Sequence, residues 1–118
     1  MQLSHEVTPE GLVRVRCEGS VTLVDLQHGR DPLVELLGPE VYRGCVLFDL
    51  SQLNYIDSSG IGWLVVSFKR FCQARGRIVF HSPSPFFRNT LDLLRLDLVL
   101  PLAENEAAAQ EMVTKASS

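Results

Sequence analysis

Over residues 12–21 apolar and charged residues alternate, with Val13, Val15 and Cys17 on one side of an extended chain and Arg14, Arg16 and Glu18 on the other. A period of two predicts a strand near a sheet edge, one face buried and one wet. Residues 3–7 pair with it as a hairpin across 8–11, where Pro9 and Gly11 break the chain. Residues 21–30 leave two readings open, a helical turn around 24–27 or a loop in which Gly29 allows a bend. A short helix follows: Asp31 can cap it, Pro32 suits its first position, Leu33, Val34, Leu36 and Leu37 form its apolar face, and Gly38 with Pro39 ends it. The apolar run 46–50 reads as a buried strand of a parallel sheet, followed by a polar turn. Over 59–75, Ile61, Leu64, Val65, Phe68 and Cys72 recur at helical spacing as a core stripe, and Gly76 terminates the helix. Trp63, Val66 and Phe71 widen the stripe, so either this helix is flanked on two sides or some of these side chains face a partner. Residues 77–81 predict a strand, 82–85 a breaker, 86–94 a helix, and 98–102 a last strand that Pro101 confines to an edge. From Asn105 the alanine-rich stretch predicts a short capped helix that frays over 116–118.

Strands alternating with helices define an α/β layer fold. A chain of 118 residues, 46% of them hydrophobic, predicts a single domain over 1–118, with a core at about 1–103 and a C-terminal helix and tail over 104–118. Fourteen acidic and eleven basic side chains give a net charge of −3 without blocks of either sign, which recommends neither nucleic acid nor an anionic membrane as partner. No apolar stretch approaches the roughly 20 residues of a membrane span, and residues 1–10 are polar, unlike a signal peptide; the expected location is the cytoplasm. Cys17, Cys45 and Cys72 are odd in number, far apart and set in apolar patterns, so they are expected as buried thiols. No spaced cluster of His, Cys or carboxylates suggests a metal, and no cofactor is implied.

The chemistry concentrates in Asp57-Ser58-Ser59-Gly60-Ile61-Gly62, where a strand turns into the best helix of the chain. Three readings apply. In the first, Asp57 caps the helix, the serines tolerate its first turn, and the glycines let helix and strand approach closely. In the second, a serine here is regulated, because phosphate at a helix N-terminus meets free N–H donors. The third is a nucleophilic serine at a strand-to-helix elbow. That motif needs Gly-x-Ser-x-Gly, but Ile56 and Asp57 stand two residues before Ser58 and Ser59. His81 with Asp92 is the only base pair the sequence offers such a nucleophile. A dinucleotide fingerprint fails because Val65 replaces its third glycine. The segment therefore offers a switch or a docking face more readily than an active site.

The run from Leu47 through Asp49, Tyr55, Asp57, Ser58, Ser59 and Gly60 to Gly62 resembles the signature of STAS domains, found in bacterial anti-sigma factor antagonists and at the cytoplasmic end of sulfate transporters. The likeness extends over Gly19, Gly76, Ser84-Pro85, Leu91-Asp92 and Leu96. It implies a mixed sheet of four or five strands with helices mainly on one face. It also implies a non-enzymatic module that, unmodified, binds an anti-sigma factor which is itself a serine kinase, and so frees a sigma factor. By the same resemblance, phosphorylation of the serine after the aspartate, Ser58, would end that binding, and a phosphatase would restore it. Asp57 would shape the turn, and Ser59, Gly60, Ile61, Gly62 and Trp63 would form the neighbouring docking surface. Two positions depart from the family pattern: Thr22 stands where an aspartate is common, and Arg95 replaces a glycine before Leu96. A constitutive scaffold, as in stressosomes or lipid-transport ATPases, and a small serine hydrolase are the alternatives.

Overall fold

The computed structural model describes residues 1–116, which form one five-stranded sheet in the order β1-β2-β3-β4-β5. β1 (Gln2–Val7) and β2 (Val13–Val21) make the expected antiparallel hairpin, its turn closed by the Gly11 N–H on the Thr8 carbonyl at 2.9 Å. β3 (Cys45–Ile56), β4 (Arg77–His81) and β5 (Leu102–Ala103) add in parallel, so the sheet is mixed. Parallel neighbours need crossovers. α1 (Leu23–Leu26) and α2 (Pro32–Leu37) join β2 to β3, α3 (Ser58–Gln73) joins β3 to β4, α4 (Pro85–Leu94) joins β4 to β5, and α5 (Glu106–Ala116) follows. Of the fraying expected over 116–118, the last two residues lie outside the described ones.

Alternation along the strands decides the faces. Val15 and Cys17 of β2, Phe48 and Leu50 of β3 and Phe80 of β4 are buried with Trp63, Leu64 and Phe71 of α3 and Phe87 and Leu91 of α4. Each such side chain contributes about 1.5–3 kcal/mol when fully buried. The other face carries a smaller cluster, Leu47 and Val79 against Ala109 and Val113 of α5. Helices thus lie mainly on one face.

Asp31 caps α2 as expected and does more. Its carboxylate accepts from the Leu33 N–H at 3.2 Å, the Trp63 indole N–H at 3.3 Å, the Arg70 guanidinium at 2.9 Å and the Tyr42 hydroxyl. One side chain thereby ties α2 and the 3-10 turn Pro39–Arg43 to α3.

Several expectations need correction. β3 runs straight through the supposed polar turn: Leu53 is buried, and pairing with β2 continues through two register shifts to Val21↔Ile56. Such bulges let a strand keep its apolar residues inward where strict alternation would fail. The buried line of α3 is Gly60, Trp63, Leu64, Ser67 and Phe71; Ile61, Val65 and Phe68 flank it, and Cys72 is exposed. Turning two large aromatics inward buries more apolar area than turning in a thiol. Only Cys17 is a fully buried thiol, its pKa pushed up to about 12 by burial. The last strand shrinks to two residues. Arg95 adopts the left-handed conformation (φ 53), Leu96–Leu98 close a 3-10 turn, and Pro101, lacking an N–H, joins the sheet only by accepting from the Phe80 N–H at 3.0 Å.

α3 ends one residue earlier in its logic than Gly76. The left-handed residue is Arg75 (φ 65), with its N–H on the Cys72 carbonyl at 3.2 Å and the Gly76 N–H on the Phe71 carbonyl at 2.8 Å. This is a Schellman closure with arginine where glycine is usual. Gly76 answers a different need, because a Cβ there would lie 2.1 Å from the Tyr42 carbonyl oxygen and 2.7 Å from that of Gly44. Neighbouring substitutions should therefore have opposite signs. Gly76→Ala must displace backbone and should cost about 3 kcal/mol, while Arg75→Gly relieves left-handed strain and should gain up to about 1 kcal/mol. Urea denaturation of both variants measures this, and a Gly76→Ala protein as stable as wild type would contradict the close approach.

Candidate functional site

Because β2, β3 and β4 run parallel, their C-terminal ends lie together, and each leads into a helix: α1, α3 and α4. Ligands and partners of α/β sheets meet this end. Asp57 stands at its centre with extended backbone (φ −99, ψ −178). One carboxylate oxygen accepts from the Gly60 N–H at 2.9 Å in the first turn of α3, and the other accepts from the Leu23 N–H at 3.0 Å, where α1 begins. Asp57 thus caps two helices at once. The Gly60 N–H, then that of Leu23, hold its carboxyl below the usual carboxylate value.

Around it the predicted residues separate into roles. Ser58 is exposed and its hydroxyl makes no hydrogen bond to another described residue; Ser59 is half-buried. Gly60 is buried, and a Cβ there would lie 2.6 Å from both the Val21 carbonyl oxygen and Ile56 Cγ1, so glycine alone lets α3 sit this close to β2. Gly62 is exposed, and a Cβ would meet nothing within 4 Å. Ile61 packs partly against the core. Trp63 does not belong to a docking surface: at 8% exposure it lies edge-on to Phe48 with its indole N–H on Asp31. It steadies α3 from within, because its large ring gains more from burial than from display.

Thr22 begins α1. Its N–H donates to Asp25 at 2.9 Å and its hydroxyl at 3.4 Å. Asp25 was not singled out in the sequence, yet Thr-x-x-Asp is the spacing of a capping box and could have revealed it. A carboxylate therefore stands beside Thr22 although position 22 has none. Its negative charge repels that of Asp57 and pulls the Asp57 pKa upward against the two caps. The anion seat expected at the start of α3 is consequently filled already, by the Asp57 carboxylate. Leu23 (54% exposed) and Val24 (71%) project from α1, and Tyr55 stacks on Phe86 with ring centroids 6.4 Å apart, giving this end an apolar rim.

The two groups considered as a base pair for a serine nucleophile are not brought together. His81 is buried opposite Asp49, on the face that α5 covers, and Asp92 is exposed on α4. Among the described residues no group of three or more His, Cys, Asp or Glu converges as metal ligands would, and no helix is long and apolar enough to cross a membrane.

A family profile described as the STAS domain matches residues 7–109. An anti-sigma F factor antagonist of Paenibacillus polymyxa is 27% identical over 103 residues, covering 84% of each chain. Among solved structures, one from Thermotoga maritima, provisionally assigned as an anti-sigma factor antagonist, superposes with a TM-score of 0.79 at 18% identity, covering 95% of this chain and 94% of that one. The Bacillus cell-fate determinant SpoIIAA in its phosphorylated form gives 0.62 at 18% identity, covering 94% and 99%. At these identities the structures speak to the fold.

The double cap makes a pH-dependent prediction. Asp57 has its folded pKa lowered, so its stabilising effect is present above the unfolded carboxylate pKa and is lost as pH falls through the folded one. Asp57→Asn should melt below wild type at neutral pH, with the two curves converging as the pH drops through that range. Thermal melts across the acidic range test it, and a gap that persists unchanged at low pH would remove the charge-assisted cap as its cause.

Proposed function

The chain belongs to the STAS domain family, and on that premise we propose that it is an anti-sigma factor antagonist switched by phosphorylation of Ser58. The observation that carries this is an exposed, unbonded hydroxyl on the residue after the Asp57 clamp, at the same end of the sheet as the exposed apolar side chains Leu23, Val24, Tyr55 and Phe86. Unmodified, that surface is uncharged at Ser58 and suited to an apolar contact. The partner is an anti-sigma factor that is also a serine kinase, and a phosphatase resets the state. The protein acts by binding and catalyses no reaction.

Phosphate adds about −1.5 to −2 charges. Within the domain the Gly60 and Leu23 N–H groups already serve Asp57, and its charge and that of Asp25 lie nearby, so the modified group gains little and folding is barely affected. At an interface the same phosphate must shed water beside a surface shaped for a hydroxyl. Burying a poorly paired charge costs several kcal/mol, and about 3 kcal/mol weakens binding more than a hundredfold. The interface decides the outcome.

Incubation with the cognate kinase should place phosphate on Ser58, read by mass spectrometry, and Ser58→Ala should abolish labelling. Calorimetric titration should show wild type and Ser58→Ala binding the partner equally and the phosphoprotein at least about a hundredfold more weakly, all three melting alike. Phosphate on Ser59 or Thr22 would reassign the residue. Equal binding by all three forms would leave the constitutive scaffold, and ester or nucleotide hydrolysis lost in Ser58→Ala would restore the hydrolase.

A further inference from the structure

The face of the sheet that α5 only partly covers carries a second group of ionisable side chains. Register sets Ser4, Arg16, Asp49 and His81 side by side across β1, β2, β3 and β4. Neighbouring strands lie about 4.8 Å apart, so these form one transverse polar row. Arg14, two residues along β2, adds a second guanidinium, its Nε 3.0 Å from Glu106 at the start of α5 and its terminal nitrogen 3.2 Å from Glu6 of β1. Arg16 and Asp49 are loosely paired at 3.5 Å. A cavity of about 380 Å³ opens over these groups and spans the sheet from β1 to His81.

His81 is what ion pairing leaves unexplained. It is 2% exposed; Nδ1 lies 2.8 Å from the Ser82 hydroxyl, and Nε2 is buried without a hydrogen-bond partner among the described residues. Native proteins seldom leave such an atom unpaired. Burial lowers the pKa of the ring, against the opposing pull of Asp49 and Glu106, which favours a neutral imidazole with one nitrogen still to be satisfied. With the proton on Nδ1 donated to Ser82 Oγ, Nε2 is an acceptor.

We infer that this cavity binds a small dipolar molecule of the free α-amino acid class, its carboxylate against the Arg14 and Arg16 guanidiniums and its ammonium among Asp49, Glu106 and His81 Nε2. A simple anion would meet the arginines but also three carboxylates, Glu6, Asp49 and Glu106, and a simple cation the reverse. A molecule carrying both charges complements both, and the volume lies at the small end of ligand pockets. Because Glu106 belongs to α5, the bound molecule links that helix to β2 and β3.

The test uses the full chain, with its His81 ring signals followed by NMR while each proteinogenic amino acid, inorganic phosphate and ethylammonium are added in turn. At least one amino acid should shift those signals saturably at millimolar concentration or below and raise the melting temperature, with phosphate and ethylammonium about tenfold weaker or worse. Arg16→Gln removes an exposed side chain from outside the core and should weaken binding about tenfold with an unchanged melt in the absence of ligand. His81→Gln should do likewise where it folds. No saturable shift with any amino acid, equal binding of phosphate or ethylammonium alone, or full affinity in Arg16→Gln would overturn the proposal.

Discussion

A single carboxylate ties together the elements at the C-terminal end of the parallel strands. α1 is four residues long and none of its side chains is fully buried, far below the length at which a helix holds itself together in water. Its position depends on Leu26 packing against the core and on hydrogen bonds, chiefly the Leu23 N–H on Asp57 and the Thr22 N–H on Asp25. Asp57 is itself pinned by its own N–H on the Val21 carbonyl at 3.2 Å and by the cap on Gly60. Gly60 permits all of this, since a side chain there would push α3 off the end of β2. The end of β2, the start of α1 and the start of α3 therefore form one unit.

That unit changes what a helix N-terminus offers an anion. Free N–H groups and the dipole would ordinarily favour a phosphate. Here Asp57 has taken the Gly60 N–H, and Asp25 adds negative charge nearby. The attraction that makes phosphoserine comfortable at a helix start is offset by like charges, and both effects are screened by solvent at this exposed position. A phosphate on Ser58 thus finds no strong reason to rearrange the domain. In the proposed switch the phosphate is therefore read at the partner's surface.

The elements that the sequence revealed well were those with local punctuation. The hairpin, α2 with its Asp31 cap and Gly38 stop, and α4 behind Ser84 carry their own signals, and a local rule sufficed. What was missed depended on distant parts of the chain. Residues 51–54 look like a turn, and only pairing with β2 and the Ser84 hydroxyl on the Leu53 carbonyl at 2.6 Å make them strand. Gly76 reads as a helix stop until the Tyr42 backbone beside it is known. Trp63 looked like a candidate for display because its spacing widens an apolar stripe. A distant acceptor, Asp31, and a sheet residue, Phe48, bring it inside. At the candidate site the Asp-Ser-Ser-Gly run located the turn, but that Asp57 reaches across to Leu23 belongs to tertiary structure alone.

The same clamp bears on how recognition and modification are joined in the proposed switch. Leu23 and Val24 are exposed on the element that Asp57 holds, and Ser58 is the residue directly after Asp57. A partner resting on α1 therefore touches a surface whose position is set from the modified turn. α1 has little packing of its own beyond Leu26, so the Asp57 cap holds the proposed docking surface in place while a phosphate on Ser58 acts on what docks there. In the proposed switch the shared carboxylate keeps α1 and the modified turn in fixed register, so one phosphate lowers affinity by its unpaired charge at the interface and leaves the core beneath α3 undisturbed.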